Sequence, residues 1–354
     1  MRILVINPGS TSTKLSIFED GKEIVREKIS HSKEELSRFE RISDQFDFRK
    51  KIIEEFLKKH GFSIQDFDAI GARGGNTHPL ESGVYRVNKK MTEDLLSLKY
   101  GAHASNLGGP LALSLAEEAN IPAFIVDPVI VDEMQPVAKI TGLKGIKRKA
   151  KDHPLNQKAA ARIVAEELGT TYEKANFIVA HLGGGISVAS HKKGRMIDEN
   201  NALNGDGPFS PERSGDLPNI SLVELCFSGK YTKEEIKKML AGKGGLVSHL
   251  GTNSLLETLN MIKSGDKYAK LVFDAMIYQI AKEIGKHAAV LKGDVDAIVL
   301  TGGLARSKEL TESVKDYVSF IAPVFVVPGE HEMEAIERGV RLALLGKEEI
   351  KEYE

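Results

Sequence analysis

Four glycine-rich turns in this chain follow short apolar runs: residues 7–14 (NPGSTSTK), residues 181–187 (HLGGGIS), the pair Gly74-Gly75 and the pair Gly302-Gly303. A turn without Cβ atoms lets backbone N–H groups point together at an anion, and phosphate is the natural guest. The first turn adds hydroxyls from Ser10, Thr11, Ser12 and Thr13 and the ammonium of Lys14, while Asn7 offers an uncharged oxygen to a metal or its waters. His181 opens the second turn, whose three glycines are Gly183, Gly184 and Gly185. Familiar nucleotide and zinc signatures fail on spacing: there is no G-x-x-x-x-G-K-S/T, no G-x-G-x-x-G between strand and helix, and no H-E-x-x-H.

Arg73 precedes Gly74-Gly75, and Arg213 lies in GDGPFSPERSGDLP, a stretch too rich in Gly and Pro for regular structure. An arginine fork binds carboxylate or phosphate bidentately and keeps its charge at any working pH. Asp127 closes the apolar run AFIV and precedes Pro128, so it sits at a strand end, where α/β enzymes place working groups and where an aspartate also caps turns. Of ten histidines, His103, His153 and His181 fall in irregular or loop-adjacent sequence, whereas His60 and His287 fall in helical patterns. Their spacing marks no metal set.

The elements that must position these groups alternate: short β-branched runs (3–6, 123–127, 177–181, 296–300, 324–327) separated by longer amphipathic stretches predict α/β layers. Thr232 with Glu235 forms a capping box before a helix that ends near Gly242, and Thr92 is expected to open a helix that stops at Gly101. Apolar stripes along 231–241 and 266–291 read as core-facing. Two signatures recur in the same order. Residues 3–22 read as strand, glycine-serine corner, strand and Asp20-Gly21 turn; residues 177–195 repeat this with a Lys193-Gly194 turn. DAIGARGGN (68–76) is then echoed by DAIVLTGGL (296–304). The chain reads as internally duplicated, and two related halves are expected to meet at a ligand-binding cleft.

At 354 residues two domains are expected, on a prior of roughly 100–200 residues each. Lys+Arg 49 against Asp+Glu 50 leaves a formal charge of −1, which provides no global attraction to nucleic acid or anionic membranes. No apolar run reaches the ~20 residues of a membrane span, and the run before Asn7 is too short for a signal peptide, so a cytoplasmic location is expected. The single cysteine, Cys226, cannot form an internal disulfide and is expected to be a small buried hydrophobe.

INPGSTSTK, ARGGNTHP, HLGGGIS, TGGLAR and PGEHEMEA, in this order and spanning essentially the whole chain, resemble the acetate/butyrate kinase family. The resemblance implies an α/β fold of two duplicated ribonuclease-H-like domains of the actin, hexokinase and Hsp70 type around an interdomain nucleotide cleft. It implies residues 1–152 plus 331–354 as the N-terminal domain, with a C-terminal helix of about 331–346 returning to it, and residues 153–330 as the nucleotide-binding domain. It further implies that Asn7, Ser10, Ser12, Lys14, His181, Gly183, Gly184, Gly185, Gly302 and Gly303 meet the nucleotide. Arg73, His103 and Arg213 are implied substrate ligands; Arg73, Asp127, His153 and Arg213 are implied catalytic groups; Asn7 with Glu332, or Glu330 if the register slips, is the implied metal side. Three departures from the acetate kinase pattern favour a butyrate kinase: HPLNQ in place of HGTSH, Gly184 in place of asparagine, and an arginine set directly before its glycine pair.

The implied reaction is Mg²⁺-dependent transfer of the ATP γ-phosphate to butanoate, giving ADP and butanoyl phosphate. Isobutyrate, propionate and acetate are the alternative acceptors. A fatty acid with a pKa below ~5 is already ionised at pH 7, so the nucleophile needs no general base, and catalysis consists of positioning and neutralising charge. Each buried methylene contributes about 0.8 kcal/mol, so a four-carbon pocket gains only about tenfold over acetate. A sugar kinase using Asp127 as base, or a non-catalytic actin-like module, are the rival readings. Assembly into a homo-oligomer is expected from the prevalence of symmetric enzymes.

Overall fold

The computed structural model describes residues 1–354, which form two compact units: Met1–Asp132 with His331–Glu354, and Glu133–Glu330. The sequence reading assigned residues 133–152 to the first unit, but their contacts lie in the second. Glu133 is buried against Lys158 at 2.7 Å and accepts from the backbone of Met196, and Arg148 reaches Asp198 at 2.8 Å. Burying an ionised glutamate requires such a partner, and Lys158 belongs to the second unit.

Six strands build most of the first unit's sheet: β1 Arg2–Pro8, β2 Ser12–Glu19, β3 Lys22–Ser30, β4 Ala69–Arg73, β5 Val84–Arg86 and β6 Ala123–Val126. The sheet order is Ile350–Lys351, β5, β6, β4, β1, β2, β3. Leu4, Ile6, Leu15, Ile17, Ile70 and Ile125 pack with Ile53, Phe56, Leu111 and Leu115 of the helices Phe46–Lys59 and Gly108–Ala119. The helix Glu332–Leu344 packs on β1, β4 and β6, as the sequence reading expected of a returning C-terminal helix.

The second unit has β7 Asn176–Leu182, β8 Ile186–Lys192, β9 Arg195–Glu199, β10 Ala297–Gly302 and β11 Val324–Pro328, in the order β11-β10-β7-β8-β9. Along β7 the side chains alternate between faces. Phe177 and Val179 join Ala160, Ala161 and Val164 of the helix Pro154–Glu167, while Ile178 and Ala180 join Met276, Ile280 and Ile284 of the helix Lys267–Val290. A sheet covered on both faces explains why β7 is apolar nearly throughout.

The duplication is visible bond by bond. β1–β2–β3 and β7–β8–β9 are antiparallel meanders, and β4 and β10 join them in parallel. The second turns are Asp20-Gly21 (φ 49° and 83°) and Lys193-Gly194 (φ 47° and 87°), the left-handed pair that a two-residue hairpin requires. Asp68 accepts from the backbone N–H of Arg2 at 2.6 Å, and Asp296 accepts from that of Asn176 at 2.7 Å, so the recurring aspartate clamps the entry of the first strand in each unit.

Three local expectations are corrected. The helix expected from Thr92 begins at Lys89 and ends at Leu96, because Asn88 caps it by accepting from Met91 N–H at 2.9 Å. Cys226 is exposed rather than buried, since the helix Asn219–Cys226 buries none of its residues and offers no core to receive it. The stripe of the helix Lys233–Leu240 buries only Ile236. No helix is long and apolar enough to cross a membrane.

Candidate active site

In the first unit, three expected groups converge where β1 and β4 end. Asn7 Nδ2 donates to Glu332 Oε2 at 2.7 Å, and Arg73 Nη1 donates to the same oxygen at 3.1 Å. Asn7 and Glu332 are buried, and Glu332 is the first residue of its helix, where the helix dipole favours a carboxylate. Of the two glutamates weighed for the metal side, Glu332 reaches Asn7, whereas Glu330 is exposed in the second unit. Arg73 spends one Nη on the glutamate, which leaves the other N–H groups of its fork able to donate. No group of three or more His, Cys, Asp or Glu gathers here or elsewhere. Asn7 Oδ1 and Glu332 Oε1 nevertheless fit Mg²⁺, which takes one or two protein oxygens and completes its shell with water and substrate phosphates.

The corner between β1 and β2 has its carbonyls tied back. Gly9 O and Ser12 O accept from Arg49 at 2.9 and 3.2 Å, and Thr11 O accepts from His31 N–H at 2.8 Å. Gly74-Gly75 plays a different part from the cradle expected of it. A Cβ at Gly75 would lie 2.4 Å from Asn106 Cα, and one at Gly74 would lie 2.5 Å from Pro128 Cβ. These glycines let the chain after Arg73 pass against its neighbours and leave no room there for a ligand.

Asp127 is buried with φ 39°, and its Oδ1 accepts from Ser82 Oγ at 2.5 Å and Gly83 N–H at 3.0 Å. It thus ties down the entry to β5 and makes no ion pair with an arginine. His103 caps the short helix Ala104–Leu107 through Ser105 N–H at 3.2 Å.

In the second unit His153 precedes Pro154, the N1 residue of its helix, and its ring stacks on His181 with centroids 3.9 Å apart and planes 5° apart. A chain of hydrogen bonds holds its ring. Gln157 Nε2 donates to both oxygens of Asp152 (2.9 and 2.8 Å) and to Ser187 Oγ at 2.9 Å. Ser187 Oγ lies 2.9 Å from His153 Nδ1 and Asp152 Oδ1 lies 3.3 Å from the same nitrogen, so this edge of the ring is held from two sides. Gln157 Oε1 must accept from His191 Nε2, 2.9 Å away, whose Nδ1 faces Tyr172 Oη at 2.8 Å. Burial holds His191 well below the usual histidine range, consistent with a neutral ring in that chain. Asn156 Nδ2 meets His181 Nδ1 at 2.9 Å. Asn156 and Gln157 are the two residues of HPLNQ that sequence reasoning passed over; polar residues one turn inside a buried helix were the available signal.

The β7–β8 corner leaves Gly184 exposed, and beside Gly303 there is open space. Gly184 O is held by Ser210 Oγ at 2.6 Å and Glu212 N–H at 3.2 Å, from the loop that carries Arg213. Arg213 contacts Glu212 Oε2 at 3.4 Å, and its buried Nε has no hydrogen-bond partner. Asn253 Nδ2 fixes the other oxygen of Glu212 at 2.7 Å.

These two clusters stand on a fold found in solved kinases. The structure superposes on an acetate kinase from Porphyromonas gingivalis with a TM-score of 0.76 at 20% identity, covering 97% of this chain and 99% of that one. It superposes on a propionate kinase from Francisella tularensis with a TM-score of 0.72 at 19% identity, covering 95% and 98%. At such identities the likeness shows the fold, two ribonuclease-H-like units of the actin, hexokinase and Hsp70 type. Sequence carries further. Residues 139–324 match the family model of the acetokinase family. Over 351 residues, 99% of each chain, 51% of positions are identical to a Listeria monocytogenes (serotype 4a, strain HCC23) protein described as a probable butyrate kinase. The chain belongs to the acetokinase family and is a phosphotransferase with a carboxyl group as acceptor.

Proposed function

We propose that this enzyme is a butyrate kinase, transferring the γ-phosphate of ATP to butanoate to give ADP and butanoyl phosphate. The observation that carries the chemistry is the Asn7–Glu332–Arg73 cluster: an arginine with most of its fork unspent, held beside a carboxylate and an amide oxygen. The choice of butanoate rests on the full-length 51% identity to the Listeria relative.

In this reading Arg73 and Arg213 bind the acceptor carboxylate and then the equatorial oxygens of the transferring phosphoryl group. His153, its Nδ1 edge held by Ser187 and Asp152, donates a further hydrogen bond to that group. His103 borders the acyl chain. Ser10, Ser12 and Lys14 of the first corner, and His181, Gly183, Gly184, Gly185, Gly302 and Gly303 of the second unit, meet the phosphates of ATP and ADP. Asn7 and Glu332 hold Mg²⁺, which when bound neutralises phosphate charge. Asp127 acts by tying down its loop, which fits an acceptor that arrives ionised and requires no base.

The test is hydroxamate-trapped acyl phosphate formation from Mg²⁺-ATP with acetate, propionate, butyrate, isobutyrate and isovalerate, reported as kcat/KM. A maximum at butyrate is expected. A maximum at acetate or isobutyrate overturns the butyrate assignment, and no product from any acid in folded, ATP-binding protein brings the sugar kinase reading forward.

A further inference from the structure

Arg49, in the helix Phe46–Lys59, has no solvent exposure, and no carboxylate pairs with it. All its hydrogen bonds go to neutral oxygens. Nη2 donates to Gly9 O at 2.9 Å, Nη1 donates to Ser12 O at 3.2 Å and Thr13 Oγ1 at 3.0 Å, and Nε and Nη2 share Gln45 Oε1 at 3.1 and 3.0 Å. Thr13 Oγ1 also lies 2.9 Å from His31 Nε2. Burial and Arg49 hold His31 below its usual range, which favours a neutral ring there. Burial pushes the guanidinium down to about 10, still charged at pH 7.

A buried charge with no counter-charge is costly, and replacing it by a neutral group is often neutral or stabilising. Here the charge lies directly behind the β1–β2 corner, bonded to two of the corner's own carbonyls. We propose that Arg49 is a positioning residue of the phosphate site, a standing positive charge beneath the corner that turns its carbonyl oxygens inward and is completed by the polyphosphate of ATP. This rests on reading residues 7–14 as a phosphate site. Low-dielectric surroundings strengthen the attraction, and none of the acceptors screens it with negative charge.

Gln45→Glu tests this without breaking a hydrogen bond, since the same Oε1 position still accepts from Arg49 while the charge is neutralised. Isothermal titration of the full chain with ATP, alongside thermal unfolding, is the measurement. Gln45→Glu is expected to weaken ATP binding roughly tenfold or more while its unfolding midpoint stays level or rises. A purely structural arginine predicts unchanged or tighter binding once it is paired, and that result would overturn the inference. Arg49→Lys is expected to bind ATP better than Arg49→Gln; equal losses count against the charge. Wild-type protein that binds no ATP overturns the phosphate reading and this inference with it. Wild-type binding beside an unaffected Gln45→Glu variant overturns the inference alone.

Discussion

The β1–β2 and β7–β8 corners occupy equivalent positions on duplicated meanders, yet they hold their backbones by opposite means. Asn7 and His181 are matched by their place beside β4 and β10, and Lys14 and Ser187 by the ladder. In the first unit the corner's carbonyls are drawn back by a buried arginine. In the second Gly184 O is held by a serine hydroxyl and a backbone N–H, and Ile186 O by the Asn200 amide. Asn7 joins an ionic cluster with Glu332 and Arg73, whereas His181 and Ser187 orient a second histidine. Duplication preserved the ladder, the turns and the aspartate clamps, which are backbone requirements. The side chains at the corners diverged toward charge in one unit and oriented dipoles in the other.

If charge is the first unit's contribution and each unit also supplies one arginine, the largest effects should come from the arginines. Arg73→Ala and Arg213→Ala are each expected to lower kcat by roughly 10³-fold, the scale of an arginine that stabilises a transferring phosphoryl group. Hydroxamate-trapped turnover on variants shown to be folded is the check. A folded variant of either with near-native kcat removes that residue from the reaction.

The dipole side of the comparison rests on His153 and on Gln157, which holds Asp152 and Ser187 against its ring. His153→Ala should lower kcat by roughly 10²-fold, the lower end of what a positioned donor supplies. Gln157→Leu should lower kcat by about tenfold with little change in KM for ATP, because a loosened His153 ring weakens the transition state rather than ground-state binding. Its pH–kcat profile should shift as well, since Asp152 and Ser187 are no longer held against that ring. An unmoved profile with intact turnover would show that Gln157 only fills space.

Much of this arrangement was legible in the sequence because turns and strand ends have strict local needs. The Asp20-Gly21 and Lys193-Gly194 turns and the echoed DAI strands follow from such needs, while the returning C-terminal helix was legible only through the family resemblance. What escaped is the direction of side chains. Arg49 sits in FDFRKK, which reads as a solvated helix face, and only the tertiary structure turns that one cation inward. Gln157 lies in a helix whose polar residues look exposed until Asp152 and Ser187 close around them. Gly74-Gly75 has the composition of a phosphate turn, yet its neighbours fill the space a ligand would need.

That last contrast yields a test of which glycines carry fold and which carry function. Gly75→Ala places a Cβ against the backbone of Asn106 at 2.4 Å, an overlap that cannot relax by a rotamer change, and it should destabilise the first unit by about 1–3 kcal/mol. Gly184→Ala meets only the Glu212 side chain at 3.4 Å, an ordinary contact. It should leave urea unfolding unchanged and raise KM for ATP. The reverse pattern would mean that the packed turn and the open turn have been assigned the wrong way round.

The smallest effect probes the same divergence through acid. Both meanders carry a register irregularity, between Ile17 and Phe18 in one and between Ser190 and His191 in the other, so a buried phenylalanine in the first unit stands where the second has a buried histidine. His191 and His287, the latter pushed down to about 3, stay neutral when folded and take up protons when unfolded. The unfolded state therefore binds more protons below pH ~6.5, and stability falls as pH drops from there toward the folded values. Glu283 and Asp206, raised by burial, act with the opposite sign, so the difference between variant and parent is the clean readout. His191→Phe copies the first unit's residue. It should lose some baseline stability, because Gln157 and Tyr172 lose a partner, yet remove up to about 1.4 kcal/mol per pH unit from the slope of unfolding free energy between pH 6.5 and 5. Identical slopes in urea titrations of the two proteins would show that His191 does not carry the acid sensitivity of the second unit.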